Sequence, residues 1–395
     1  MMKFHNFQLS VSCIAFQKNK VLRPDRFPKP VRSLYQNIYL KSCSVLFFSI
    51  VASLAYAEVT LDGTLGFGGA LEGPHYQIGA ELGQQRGGNL FQSFSHFNIN
   101  TGESATFSGP HSVHNIISRV TGGNPSHING LLRSTIPNAD MYFLNPYGIM
   151  FGEGASLDVQ GSFHASTADT LRLSDGREFN ARYPNNSLLT IAPIEAFGFL
   201  TDMPAAITVQ DTELSVSEGK TLSLIGGDLQ MYNSLIGVES GQLNFSSISS
   251  YGDVVLAESE LNFSGTAQSG LITNNNTEIV VNGEGGGQIF IRGGNLFINN
   301  SVINLTNDNV DAGYIDVNLT DRLIIDAGAI HSLTYGKGNG GNIFIEVKSI
   351  EMTESSLVAS ESIGPGKAGN VKIVANDLIS ILGGENEEVT TGLTA

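Results

Sequence analysis

The sequence predicts an all-β protein, a right-handed parallel β-helix, and three observations carry that reading. Strand starts led by glycine recur 26, 28 and 28 residues apart, at Gly287 to Ile291, Gly313 to Val317, Gly341 to Ile345 and Gly369 to Ile373. Within the third unit two more short alternating strands follow, Ser349 to Thr353 and Ser356 to Ser360, and the fourth repeats the first of these as Asp377 to Ile381. Three strands per repeat make one triangular coil, whose apolar side is buried only when coils stack. Asn and Gly fill the intervals, where corners need left-handed or otherwise unusual backbone angles. Stacking predicts an internal ladder of Ile289, Ile315, Ile343 and Val371. The looser segments beginning at Lys220 and at Asp253 are expected to join the same stack. A β-sandwich, the alternative, has no need of a repeat near 28 residues.

Residues 1–57 read as an address rather than as structure. An apolar run from Val45 to Leu54 follows Lys41, and Ala55-Tyr56-Ala57 supplies the small residues a signal peptidase requires. Cleavage after Ala57 is expected, leaving Glu58 as the first residue. The run is too short for the roughly 20 residues of a membrane-spanning helix. Either the first forty residues form an extended basic n-region, or the start codon lies further downstream.

Removal of this leader takes both cysteines, Cys13 and Cys43, with it. The remaining chain then has neither a disulfide framework nor a cysteine metal site, which suits export through an oxidising compartment. The leader also holds eight of the 21 Lys and Arg and one of the 37 Asp and Glu, leaving 13 basic against 36 acidic residues, a formal charge of −23. Such a balance excludes a nucleic-acid partner, which would require a basic surface.

From Val59 to Gly88 frequent glycines and short apolar pairs predict brief strands with tight turns. Leu90 to Ile99 alternates large apolar with polar residues, a half-buried strand. Five histidines follow, His96, His111, His114, His127 and His164. His111, His114 and His127 have no helix to bring them onto one face, so all five are read as solvated loop residues and no metal site is assigned.

The stretch Ala139 to Ser166 concentrates turn chemistry. Met141 to Leu144 reads as a buried strand stopped by Asn145-Pro146-Tyr147-Gly148, which has the residue preferences of a type I turn. Twenty-one residues upstream stands another Asn-Pro turn, Asn124-Pro125. The segment GNPSHINGLLRSTIPNADMYFLNPYGIMFG, Gly123 to Gly152, resembles the amino-terminal secretion domain of the filamentous haemagglutinin family, in particular the cyanobacterial-type exoproteins of two-partner secretion. The resemblance extends from about Val59 to Ala168. Tyr147 departs from the family motif, which usually carries a second Asn there, and the upstream Asn-Pro-Asn-Leu tetrapeptide of many members is absent.

The resemblance implies a capped secretion domain over residues 58–200, followed by β-helix repeats over 201–395. These repeats are expected to be truncated, since Gly383 to Ala395 stop about where the next glycine-led strand would begin, near position 397, with no polar capping element to close the stack. It further implies an outer-membrane β-barrel secretion partner, a route through the periplasm to the medium or outer cell surface, and an adhesin or structural role with glycans of host or neighbouring cells as ligands. Asn124, Pro125, Asn145, Pro146 and Gly148 are the residues expected to serve transporter recognition or nucleation, with a plain turn-forming role as the alternative.

Between Asp169 and Pro204 the pattern loosens into a lateral hairpin, where Arg172, Arg177 and Arg182 are expected to pair with Asp175 and Glu178. A carbohydrate-active β-helix enzyme, a lyase or hydrolase, is the competing functional class. Its chemistry requires clustered carboxylates, or Asp beside Arg or Lys. Asp316, Asp321, Asp326, Glu346 and Glu351 are scattered, and no nucleophile elbow, phosphate loop or metal-ligand spacing occurs beyond the leader. No catalytic residue and no cofactor are assigned.

Overall fold

The computed structural model describes residues 58–257, 260–264, 268–284, 286–383 and 391–394. The expected cleavage residues Ala55 and Ala57 lie outside the described residues, as do Cys13 and Cys43.

The chain is a parallel β-helix. On its first face the strands Asn89–Phe97, Asn115–Val120, Asp140–Leu144, Phe163–Ser166, Thr221–Gly226, Gln242–Ser247, Gln288–Gly293 and Tyr314–Leu319 pair in parallel, each with the next. The stack continues through Asn342–Thr353 and Val371–Ile381. Parallel registers put Leu90, Ile116, Met141, Phe163, Leu222, Leu243, Ile289, Ile315, Ile343 and Val371 in one column. The four-residue ladder read from the repeats is therefore the end of a ten-residue one. Its first nine members are fully buried, and one apolar cluster runs from Val59 to Val358.

A second column, on the next face, aligns Ile128, Phe151, Val209, Met231, Asn274, Ile298, Ile325 and Met352. Asn274 breaks its chemistry. The side chain is fully buried, and neither its amide nitrogen nor its oxygen has a hydrogen-bond partner. An unpaired buried amide costs about 1–3 kcal/mol. Asn274→Ile is accordingly expected to raise stability by about that amount, read as a higher thermal unfolding midpoint; an unchanged or lower midpoint would show that the amide is satisfied.

The corner after this face is equally regular. Asp211, Asn233, Asn276, Asn300, Ala327 and Glu354 occupy equivalent positions, and all have φ between 45° and 53°. Short polar side chains tolerate that region best. The Asn233 Nδ2 donates to Asp211 Oδ1 at 3.0 Å, and the Asn300 Nδ2 to Asn276 Oδ1 at 2.7 Å. The residue after each of the asparagines is Ser or Thr, whose hydroxyl donates back to a carbonyl two residues earlier, as in Ser234, Thr277 and Ser301.

At the amino end, Val59–Asp62 and Gln84–Arg86 pair antiparallel with Asn89–Phe97, which closes the first coil as a cap. The outer side of the first face is also covered. Five antiparallel strands, Glu178–Asn180, Thr170–Leu173, Ile194–Phe199, Gly252–Ala257 and Glu260–Ser264, form a lateral sheet. A second apolar cluster joins its Leu171, Phe179, Phe197 and Val254 to outward-facing Phe91, Ile117, Tyr142, Ile225 and Phe290.

Two expectations change as a result. Asp253 to Leu256 does not join the stack; it pairs antiparallel with Ala196 to Gly198 in the lateral sheet. Asn89–Phe97 is buried on both sides over its first six residues rather than half-buried, because the cap and lateral hairpin cover its outer face.

Candidate functional site

The two Asn-Pro turns stack on each other, one coil apart, and Asn145 is the joint. Its side chain is fully buried. Its Nδ2 donates to the Asn124 carbonyl and to Ser126 Oγ, both at 3.0 Å, while Oδ1 accepts the Tyr147 N–H at 3.0 Å. The Asn145 backbone N–H donates to the Ser166 carbonyl at 2.9 Å, and its carbonyl accepts Gly148 N–H at 3.1 Å. One residue thus fixes its own turn, the turn before it and the strand after it. A buried amide this fully bonded is expensive to remove, because truncation leaves several partners unpaired at once.

Gly148 has φ +121°, open to glycine and strained for any other residue. An added Cβ would also lie 3.4 Å from the Pro125 ring. Its carbonyl accepts the Ser126 N–H at 3.0 Å, which closes the contact between the two turns. Pro146 is buried, whereas Asn124 and Pro125 are exposed. The five residues singled out in the sequence are therefore brought into one place, three inside it and two on its surface.

Tyr147 lies beneath the Arg182 guanidinium, 5.2 Å from ring centre to Cζ. Arg182 is held by the Asp169 carboxylate, almost fully buried, which also accepts the Leu200 N–H at 2.6 Å. The pairing of Arg182 with Asp175 or Glu178 is thus corrected: the lateral hairpin folds back and presents Asp169 instead. Arg177 does pair with Asp175 at 2.9 Å, and Arg172 reaches both Glu178 at 3.5 Å and Asp253 at 2.7 Å.

Sequence reasoning passed over Arg119. It is fully buried, with Phe179 against its guanidinium at 4.2 Å. Its Nε donates to Ser93 Oγ at 2.8 Å, Nη1 to the Asn180 carbonyl at 2.6 Å and to Ser187 Oγ, and Nη2 to Thr64 Oγ1 at 2.9 Å. Those hydroxyls of Ser93 and Thr64 in turn donate to Asp62, at 2.6 and 2.8 Å, so the two charges face each other across hydroxyl bridges. Burial pushes the Arg119 pKa down to about 10 despite the nearby Asp62 charge. Burial alone would push Asp62 up, but hydrogen bonds from Ser93, Thr64 and Thr121 outweigh it and hold the carboxyl below its usual range. The cluster ties the cap, two coils and the lateral hairpin together.

His164 is not a solvated loop residue. It sits in Phe163–Ser166, pointing outward from the coil into the cover of the lateral sheet, 6 % exposed and stacked on Tyr142 at 4.6 Å. His164 Nδ1 is hydrogen-bonded with Ser223 Oγ at 2.8 Å, and the same hydroxyl accepts from Asn244 Nδ2 at 3.1 Å. Desolvation lowers the imidazole pKa to about 3, which keeps the ring neutral. His96 and His127 lie in strands, partly buried, and His111 and His114 are exposed. Among the described residues no group of three His, Cys, Asp or Glu lies close enough to hold a metal ion.

Stacked asparagine turns at the head of a capped parallel β-helix, braced by an extra-helical sheet, define a capped β-solenoid module, and comparison with known proteins gives its family. The TPS secretion domain family model matches residues 57–291, and the chain belongs to that family. As a member it is exported and secreted. Over 84 residues it is 36 % identical to the heme/hemopexin-binding protein of Haemophilus influenzae (strain ATCC 51907 / DSM 11121 / KW20 / Rd), a match covering 21 % of this chain and 9 % of that protein. The crystal structure of the HMW1 secretion domain from Haemophilus influenzae aligns over 78 % of this chain and 92 % of that one, with 16 % identity and a TM-score of 0.36.

Proposed function

We propose that this chain is the exported partner of a two-partner secretion system, passed through the periplasm to an outer-membrane β-barrel and acting at the cell surface as an adhesin or structural protein without catalysis. Residues 58 to about 291 act as the targeting and nucleation module. That span reaches beyond residue 200 because Ile194–Phe199 pairs with Gly252–Ala257, and the outward apolar cluster extends to Phe290.

The observation that carries the reading is Asn145, whose side chain locks consecutive coils at the point where stacking begins. A coil so fixed offers a template edge to the next, and each added coil buries apolar area worth roughly 25 cal/mol per Å², which disfavours backsliding without an external energy source. Asn145→Ala combined with Gly148→Ala is expected to abolish secretion when the transporter is co-expressed, measured as protein in the medium against protein retained in the periplasm. Purified variant that refolds at the normal rate yet stays inside assigns the turns to transporter recognition. Variant that fails to refold assigns them to nucleation, and secretion at the unmodified level refutes the proposal.

A further inference from the structure

Beside the Arg119 cluster lies a cavity of about 350 Å³ built from three distant pieces of chain: Thr64 to Arg86 of the cap, Arg119 of the second coil, and Pro184 to Leu189 of the lateral hairpin. Its chemistry runs against the rest of this acidic molecule. Three other surface cavities each carry three carboxylates in their walls, such as Asp211, Glu213 and Glu278 in one of them. This one has two guanidiniums and no carboxylate in its wall.

The two arginines differ in role. Arg119 forms the floor and is closed off from solvent, its charge answered by Asp62 across the hydroxyls of Ser93 and Thr64. Arg86 stands exposed on the rim, and among the described residues no carboxylate lies within ion-pair distance of it. Its guanidinium is already oriented, since Nη2 donates to Gln84 Oε1 and Nη1 to the Gln85 carbonyl, both at 2.9 Å, while Gln84 Nε2 is anchored on the Leu65 carbonyl at 3.1 Å. Two engaged donors of five leave the remainder of the fork for a ligand. A fork fixed in this way matches a planar oxyanion.

We propose that this cavity binds a carboxylated sugar residue, with the carboxylate on Arg86 and the ring hydroxyls against the Gln84 and Asn185 amides. The size admits one ring. Walls made mostly of amide, hydroxyl and guanidinium groups call for a ligand that is polar over most of its surface, and the unanswered positive charge calls for one negative group on it. The site exists only once cap and hairpin have met, so it belongs to the folded molecule. It does not depend on the secretion reading, because chain refolded in vitro carries the same cavity.

The test is titration calorimetry on the full chain with glucuronate, glucose and sulfate. Glucuronate is expected to bind saturably, glucose not to bind, and sulfate to bind at least tenfold more weakly. Arg86→Gln, at an exposed position and with the unfolding midpoint checked, is expected to weaken glucuronate by about tenfold or more, and Arg86→Lys by less. Absence of saturable glucuronate binding, equal binding of glucose, equal binding of sulfate, or an Arg86→Gln variant that binds as before would each overturn the proposal.

Discussion

Replacement of Arg119 by methionine is expected to destabilise the amino-terminal module by about 2–3 kcal/mol, because a fully buried guanidinium is lost and the Asn180 carbonyl and three hydroxyls are left without their donor. The expectation follows from what Arg119 reaches. Its donors meet Ser93, Thr64, Ser187 and the Asn180 carbonyl, so the cap at residue 64 and the hairpin at residues 180–187 are joined through one side chain. Asp62 would remain behind with hydroxyls but no cation. Arg119→Met with Asp62→Asn should recover part of the loss, because the second change removes the orphaned charge. Limited proteolysis should show new cleavage in residues 63–67 and 184–191 of the single variant, while the carboxy-terminal coils stay resistant. A midpoint within 1 kcal/mol of the unmodified protein, with no new cleavage, would show that the bridged pair adds nothing.

Acidification supplies the second large effect. The His164 imidazole has a folded pKa of about 3, lowered by desolvation between the coil and the lateral sheet. In the unfolded chain it titrates near 6.5. Above that pH both states hold the ring neutral and His164 confers no pH dependence. As pH falls below it the unfolded chain takes up a proton that the folded chain refuses, so stability is lost progressively until about pH 3. At pH 5 the deficit is about 2 kcal/mol, from 1.36 kcal/mol per unit, and it grows further on the acid side. His164→Gln should remove this component. Urea midpoints compared between pH 7 and pH 5 must then converge for the two proteins toward the acid end; parallel profiles would mean that His164 is accessible and titrates normally.

Much of the stack could be read directly from the chain, and the reason is geometric. A coil of fixed circumference imposes a spacing, so Gly287, Gly313, Gly341 and Gly369 announce themselves, and alternation places Ile289 and Ile315 inward. The earlier coils show no regular spacing because excursions interrupt it, a lateral hairpin after Phe163–Ser166 and another after Gln242–Ser247, although the segment from Lys220, expected in the stack, does join it. A subtler mark was present throughout. Asn233-Ser234, Asn276-Thr277 and Asn300-Ser301 pair a residue suited to a left-handed corner with a hydroxyl that caps it.

The lateral sheet was harder to find. Its two halves lie more than fifty residues apart, and nothing local pairs Ile194–Phe199 with Gly252–Ala257. The coil did carry its imprint: Ile116-Ile117, Leu224-Ile225 and Ile289-Phe290 are adjacent apolar pairs, which a coil open to water on its outer side would not hold. Alternation also put His164 on that outer side, yet only the cover reveals that it is dry. At the stacked turns the sequence named Asn145 and Gly148 correctly as turn residues, but the bond from Asn145 to the preceding coil depends on a register that only stacking defines.

The lateral sheet also sets how the molecule yields to tension. The cap and lateral strands cross-link the coils up to Phe290, whereas beyond it each coil grips only its neighbours. Pulled from its carboxy end, the solenoid behaves as a row of slip-knots tied to an anchor. Successive coils of 28 residues release one by one, each paying out roughly 9 nm of extended chain at about 3.4 Å per residue, and the braced portion holds until last. Load is thus shed in small steps at the carboxy-terminal coils while the braced amino-terminal portion keeps its shape.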